Sequence, residues 1–218
     1  MAIGGVLFDI DGVLVTSWQP IPGAAAALRT LSEHQIARSY LTNTTTRTRT
    51  QIADLLSTAG MTVAPDEVVT SALLTAEYVR DRYPGARCFL VNSGDIAEDM
   101  AGVDIVYSHE FSGPTAPETP PDVVLLGGAG GPEYTHLTLS WVYDWMAQGG
   151  VPVVAMHRST AWTTSHGLRV DTGMYLIGME ETSGGRKATA VGKPAPQGFL
   201  AAANRLGGGP PRGDVHGR

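Results

Sequence analysis

Cysteine is nearly absent from this chain: Cys88 is the only one in 218 residues. A single thiol excludes an intramolecular disulfide and fits a reducing compartment. Within the strand-like run Arg87-Cys88-Phe89-Leu90-Val91 it reads as a small apolar filler. Long hydrophobic runs are also missing, and no stretch approaches the ~18 consecutive apolar residues of a membrane span. Asp9 interrupts the apolar start before it reaches signal-peptide length, with no basic residue ahead of it. The expected location is cytoplasmic, with no membrane partner. Positive charge is in deficit: 15 Lys and Arg stand against 21 Asp and Glu, a formal net charge of −6. That argues against a nucleic-acid partner, which usually leaves a basic patch. It does not bar an anionic substrate, because a local cluster of donors can outweigh a modest global charge. Internal repeats and coiled-coil heptads are absent as well.

What is there is a soluble globular balance, 43% hydrophobic and 17% charged, enough for one large or two small domains. Short β-rich runs alternate with helical patterns, which predicts an α/β fold built on a parallel sheet. The continuous apolar run Ile3 to Phe8 predicts a buried parallel strand. Helices are expected over 22–33, 49–59, 72–82, 134–148 and 195–206. Further strands are expected over 36–41, 67–70, 87–91, 122–126, 151–156 and 187–191. Pro84-Gly85 marks a boundary, and the proline-rich stretch 112–121 a loop. Residues 207–218, rich in glycine and poor in apolar side chains, predict a disordered tail.

Three segments carry chemistry. Asp9 and Asp11 follow the first strand, where ligands bind in open α/β sheets. Two carboxylates at this spacing can attack phosphorus, help hold a hard cation, and move a proton. Gly12 allows the tight turn beside them. Thr42-Asn43-Thr44 ends the next strand, where hydroxyls and backbone amides can bind phosphate oxygens, although a Thr-rich loop can equally be a helix cap. Val191-Gly192-Lys193-Pro194 places a lysine just past another strand, a point charge for a phosphoryl group.

In this order and at these separations, FDIDGVL, LTNTTTRT and VGKPAP resemble the haloacid dehalogenase superfamily of phosphatases. The long insertion between the second and third motifs is similar to the C2-capped branch, subfamily IIA. The segment from Ala155 to Pro196 is similar to the group that includes phospholysine phosphohistidine inorganic pyrophosphate phosphatase. The resemblance implies a Rossmann-like core at 1–83 and 187–206, with a C2 cap at 84–186. It implies an Mg²⁺-dependent phosphatase acting on a small phosphorylated metabolite, on pyrophosphate or on a phosphoramidate. Asp9 would be the nucleophile and Asp11 the general acid/base. Asp9 and the backbone of Asp11 would bind Mg²⁺. Thr42, Asn43 and Thr44 would hold phosphoryl oxygens, and Lys193 would neutralise their charge. A homodimer is an assembly that related capped enzymes adopt.

The pattern departs from the family at its fourth, acidic motif. Near the expected place stands Gly213-Asp214 with no apolar strand before it to hold it, so Asp214 is the sole candidate for a replacement metal ligand. A truncated or frame-shifted end is the plain reading, and it predicts weakened metal binding and low stability. An inactive binding protein is therefore the competing function, with a phosphotransferase or mutase ranked last. His157, Arg158 and His166 could reach substrate from the cap, although exposed polar loop residues are the plainer reading. Trp141 and Trp145, spaced i, i+4, read as packing. Gly127, Gly128, Gly130 and Gly131 lack any nucleotide-binding spacing and read as a turn.

Overall fold

The computed structural model describes residues 4–111, 114–164 and 166–206. The chain runs β1 (Gly5–Phe8), a hairpin of β2 (Val15–Thr16) and β3 (Gln19–Pro20), α1 (Ala24–Glu33), β4 (Ala37–Thr42), α2 (Arg49–Thr58), β5 (Val68–Thr70) and α3 (Ser71–Arg82). It continues with β6 (Arg87–Val91), β7 (Asp104–Tyr107), β8 (Val123–Leu126), α4 (His136–Asp144), β9 (Val153–Ala155) and a hairpin of β10 (Ala161–Thr164) and β11 (Gly167–Val170). Last come α5 (Thr172–Thr182), β12 (Thr189–Ala190) and α6 (Pro196–Arg205).

Two parallel sheets organise these elements. One has the order β1-β4-β5, the other β12-β9-β8-β6-β7. Register in the first pairs Phe8 with Tyr40 and Thr42 with Thr70. The C-terminal ends of β1, β4 and β5 therefore lie side by side, and the loops that follow them share one rim. Val123 to Leu126 are all buried, as a strand covered on both faces requires. One buried cluster includes Leu41 and Val69 from the first sheet, Cys88 and Val123 from the second, and Ala76 and Ala202 from α3 and α6. Each large side chain so buried contributes about 1.5–3 kcal/mol.

Local sequence explains the elements around the rim. Thr48 and Gln51 form a reciprocal capping box that starts α2 just after the Thr-rich loop. Thr70 caps α3 by accepting from the Leu73 amide. Pro196 occupies the first turn of α6, where its missing N–H costs nothing. Gly12 has φ +80°, the left-handed conformation that brings the chain around from Asp11 into β2.

Several expectations need correction. β1 is half-buried along its length and not fully buried, because among the described residues it pairs with β4 alone. The strand expected over 187–191 is the two-residue β12, and it pairs with β9 in the five-stranded sheet. The helix expected over 134–148 is α4 followed by a wider turn at Trp145–Gly149. Both hairpins, β7 and α5 carried no expectation. The hairpin strands β2 and β3 are two residues each, too short for a period-2 signal. In α5 the apolar residues are spread around the helix, so no helical stripe stands out. The expected tail at 207–218 lies outside the described residues.

Cys88 behaves as expected: it is buried in β6, and burial pushes its thiol up to about 12. Trp141 and Trp145 are also buried and pack in one cluster with Phe89 and Val124.

Candidate active site

The rim where β1, β4 and β5 end collects the three motifs. Asp9 and Asp11 follow β1, and Thr42 is the last residue of β4. Lys193 arrives from the other end of the sequence, and its ammonium forms an ion pair with Asp9 Oδ1. The Ile10 amide also donates to Asp9 Oδ1, at 2.8 Å. Both partners converge on one oxygen. The Asp9 side chain is 43% exposed and that of Lys193 20%, so the carboxylate is fixed on one side and reachable on the other.

Asp11 is held differently. Thr44 Oγ1 donates to Asp11 Oδ2 at 3.0 Å, and Thr42 Oγ1 donates to Thr44 Oγ1 at 2.9 Å. The Thr44 amide donates back to Thr42 Oγ1 at 3.0 Å, closing a small threonine loop. The Asp11 carboxyl is pushed above the ordinary carboxylate range, chiefly because surrounding protein removes water from it. The Asp9 charge pushes the same way, while the threonine hydroxyls and Lys193 oppose. The residue remains solvent-accessible in outline. Its carboxyl is thus crowded by protein yet open on one side.

Asn43 does not point its carboxamide at open space. Its Nδ2 donates to the Lys193 carbonyl at 3.1 Å, and its Oδ1 accepts from the Lys193 amide at 2.9 Å. Ser71, the first residue of α3, donates to the Asn43 carbonyl at 3.3 Å. Gly192 lies so close to the Met156 carbonyl and the Asn43 side chain that any Cβ would collide. Its amide donates to Met156 O at 2.9 Å, which delivers Lys193 to the rim.

Asn92, just past β6, carried no expectation. Its Nδ2 donates to the Thr45 carbonyl at 2.9 Å, and its Oδ1 accepts from the Gly128 amide at 2.9 Å. It ties the Thr-rich loop to the five-stranded sheet and to the glycine loop. The signal was present: Asn92 ends an apolar strand just as Asp9 and Thr42 do. The glycine loop itself is irregular, as expected of a turn.

Two of the residues considered for contact from the cap are engaged with other partners. His157 is 3% exposed, so the exposed-loop reading does not hold for it. Its Nδ1 accepts from the Ser159 amide and its Nε2 faces Asp171 Oδ2 at 3.8 Å. Burial lowers its pKa against the opposing pull of Asp171. Arg158 is committed to Glu180 through two hydrogen bonds of 2.7 Å. His166 is exposed next to the β10–β11 turn.

Among the described residues no three His, Cys, Asp or Glu side chains cluster as metal ligands, and Asp214 lies outside the described residues. The donor chemistry that is present suits a hard cation at its minimum. Asp9 Oδ2 receives no hydrogen bond from a described residue while Oδ1 takes two partners. Magnesium commonly binds one or two carboxylates plus substrate phosphate and waters.

Known proteins resemble this chain in sequence and fold. Residues 6–106 match the family described as haloacid dehalogenase-like hydrolase. Ribonucleotide monophosphatase NagD of Escherichia coli K12 is 31% identical over 209 residues, spanning 94% of this chain and 76% of that protein. An acid sugar phosphatase of Staphylococcus saprophyticus is 33% identical over 100 residues, 46% of this chain and 39% of its own. The solved structure of NagD from E. coli K-12 superposes with a TM-score of 0.76 at 29% identity, covering 95% of this chain and 76% of that one. With the aspartate pair, the threonine loop and the lysine on one rim, and a relative of 31% identity matching 94% of this chain, the chain belongs to the haloacid dehalogenase-like hydrolases.

Proposed function

We propose that the chain is a phosphatase that hydrolyses a small phosphorylated substrate through an aspartyl-phosphate on Asp9. The observation that carries this reading is the fixed, half-open Asp9 carboxylate beside Lys193. An Asp9 carboxylate oxygen attacks phosphorus, the phosphorus–oxygen ester bond breaks, and the leaving oxygen takes a proton from Asp11. Asp11 then takes a proton from water, whose oxygen attacks phosphorus. The Asp9–phosphorus bond breaks and inorganic phosphate leaves. Crowding of the Asp11 carboxyl favours its protonated form, which suits the first half of the cycle. Lys193, the Thr42 hydroxyl and backbone amides of the 42–44 loop balance the phosphoryl charge. The Asn43 side chain acts through Lys193, whose backbone it grips.

Mg²⁺ fits this reading. The Asp9 carboxylate and the Asp11 backbone carbonyl would hold it, and when bound it supplies further charge neutralisation at the phosphoryl group. The unit over 84–190 is proposed as the C2 cap. Its boundary falls after β12, which belongs to the five-stranded sheet. The two sheets share a buried cluster, so this division is one of topology. The relatives' names support a small phosphorylated substrate, and the lone thiol agrees with the proposed cytoplasmic location. Among the described residues, no helix is long and apolar enough to cross a membrane.

Turnover of p-nitrophenyl phosphate with Mg²⁺, abolished by a chelator and restored by Mg²⁺, is the expected result. No turnover at any Mg²⁺ concentration would favour the second reading, a phosphate-binding protein without catalysis. That reading draws on the pair of carboxylates, in place of three, among the described residues.

A further inference from the structure

Arg47 stands three residues past Thr44, on the same loop that holds Asp11. Its nearest arginine neighbour, Arg49, is paired with Asp99 at 3.4 Å. Arg38, Arg158 and Arg205 likewise face carboxylates. Among the described residues Arg47 faces none, and its Nε is buried without a hydrogen-bond partner. Unpaired buried donors are uncommon in folded proteins and call for a partner. Among the described arginines, Arg47 is the one with a buried nitrogen left without a partner.

The second observation lies in the hairpin that follows Asp11. The β2–β3 hairpin springs from the turn after Asp11, and its two-residue tip is Ser17-Trp18 with φ +49° and +63°. Such a tip favours asparagine and glycine. A tryptophan there holds a strained backbone, and strain of this kind clusters at ligand clamps. Part of the indole packs against the cluster around Ile10 and Leu14. Its ring also lies under the Arg47 guanidinium, 5.3 Å from centroid to Cζ. Stacking on an indole fixes a guanidinium's plane while leaving its edge free for a bidentate anion.

We propose that Arg47, held by Trp18, reads a second anionic group on the substrate, a carboxylate or another phosphate a few bonds from the transferred phosphoryl. Arg47 then sets specificity and takes no part in bond breaking. The hairpin tip fixes its reach, because the Asp11 turn anchors one end of the hairpin and the indole the other. This inference rests on the phosphatase reading above and narrows its substrate class.

The test compares two ligands with one carbon skeleton: 3-phosphoglycerate, which carries a carboxylate, and glycerol 3-phosphate, which carries an alcohol there. Binding of each is measured by titration calorimetry in an Asp9→Asn background, so that nothing is consumed. The expected result is a preference for 3-phosphoglycerate that falls roughly tenfold or more in Arg47→Gln, the scale of one charged hydrogen bond, and is partly kept in Arg47→Lys. Trp18→Ala should erode the same ratio. General damage to the fold weakens both ligands alike and leaves their ratio unchanged. No preference for the carboxylate, or a preference that Arg47→Gln leaves in place, overturns the proposal. Turnover of p-nitrophenyl phosphate by the unmutated chain, measured in parallel, reports separately on the phosphatase reading.

Discussion

Asn43 and Lys193, 150 positions apart, are joined by two backbone-to-carboxamide hydrogen bonds of 2.9 and 3.1 Å. The first positions the second, so the ammonium reaches Asp9 without depending on the flexible lysine stem alone. Asn43→Ala leaves the Lys193 amide and carbonyl unmatched. It is expected to cost about 1–3 kcal/mol of stability by thermal or urea unfolding and to lower kcat more than it raises KM. Lys193→Ala should lower kcat further with a smaller loss of stability. Equal effects of both on stability and rate would contradict this ordering.

Asp11 links stability to chemistry. Its folded pKa is raised, so its ionised form is disfavoured in the folded chain. At neutral pH that destabilises the fold, and the penalty disappears as pH falls through the raised pKa. Asp11→Asn should therefore raise the melting temperature at pH 7 while lowering activity. The loss should be about 10²–10⁴-fold on an alkyl phosphate, the usual range for a positioned acid. It should be much smaller on p-nitrophenyl phosphate, whose phenolate leaves with little help from a proton. A lower melting temperature, or equal losses on both substrates, would count against this role.

Much of the site was legible because strand ends announce themselves. An apolar run followed by Asp9, by Thr42 or by Gly192-Lys193 has a sharp polar edge, and those edges meet on one rim. Contacts that depend on tertiary approach were not legible. The sequence of Asn43 suggests a phosphate ligand, and only folding shows its carboxamide turned to Lys193. His157 reads as a loop residue, yet packing of α5 against the segment after β9 buries it beside Asp171. The half-buried state of β1 depends on its neighbours in the sheet, which its own apolar run does not encode.

Asn92 gives a test of how the two sheets communicate. Its carboxamide bonds Thr45 on one side and Gly128 on the other. Asn92→Asp keeps the acceptor for Gly128 and loses the donor to Thr45, whereas Asn92→Ala loses both. The account predicts that each raises KM for p-nitrophenyl phosphate several-fold, with Asp the less stable of the two, because its buried carboxylate would face the Thr45, Ser93 and Gly94 carbonyls. Unchanged KM in both variants would show that the Thr-rich loop needs no support from the second sheet.

Glu180 provides an acid-stability marker away from the site. The Arg158 guanidinium holds its carboxyl down to about 2, assisted by the Ala188 amide and Lys187 against the opposing effect of burial. A depressed folded pKa contributes stability above the ordinary Glu value, and that stability is lost as pH falls from there toward 2. With Arg158 and Lys187 partly in water, the contribution is about 2 kcal/mol. Glu180→Gln should destabilise the chain at pH 7 and flatten its unfolding free energy between about pH 4.5 and 2. An unchanged acid limb would show that other carboxylates govern it.

The central claim is that Asp9 carries the phosphoryl group. Acid quenching during turnover of p-nitrophenyl phosphate, followed by mass spectrometry of the peptide that contains Asp9, tests it most directly. The account predicts one added phosphoryl group on that peptide and neither adduct nor turnover in Asp9→Asn. Turnover that persists in Asp9→Asn would contradict it.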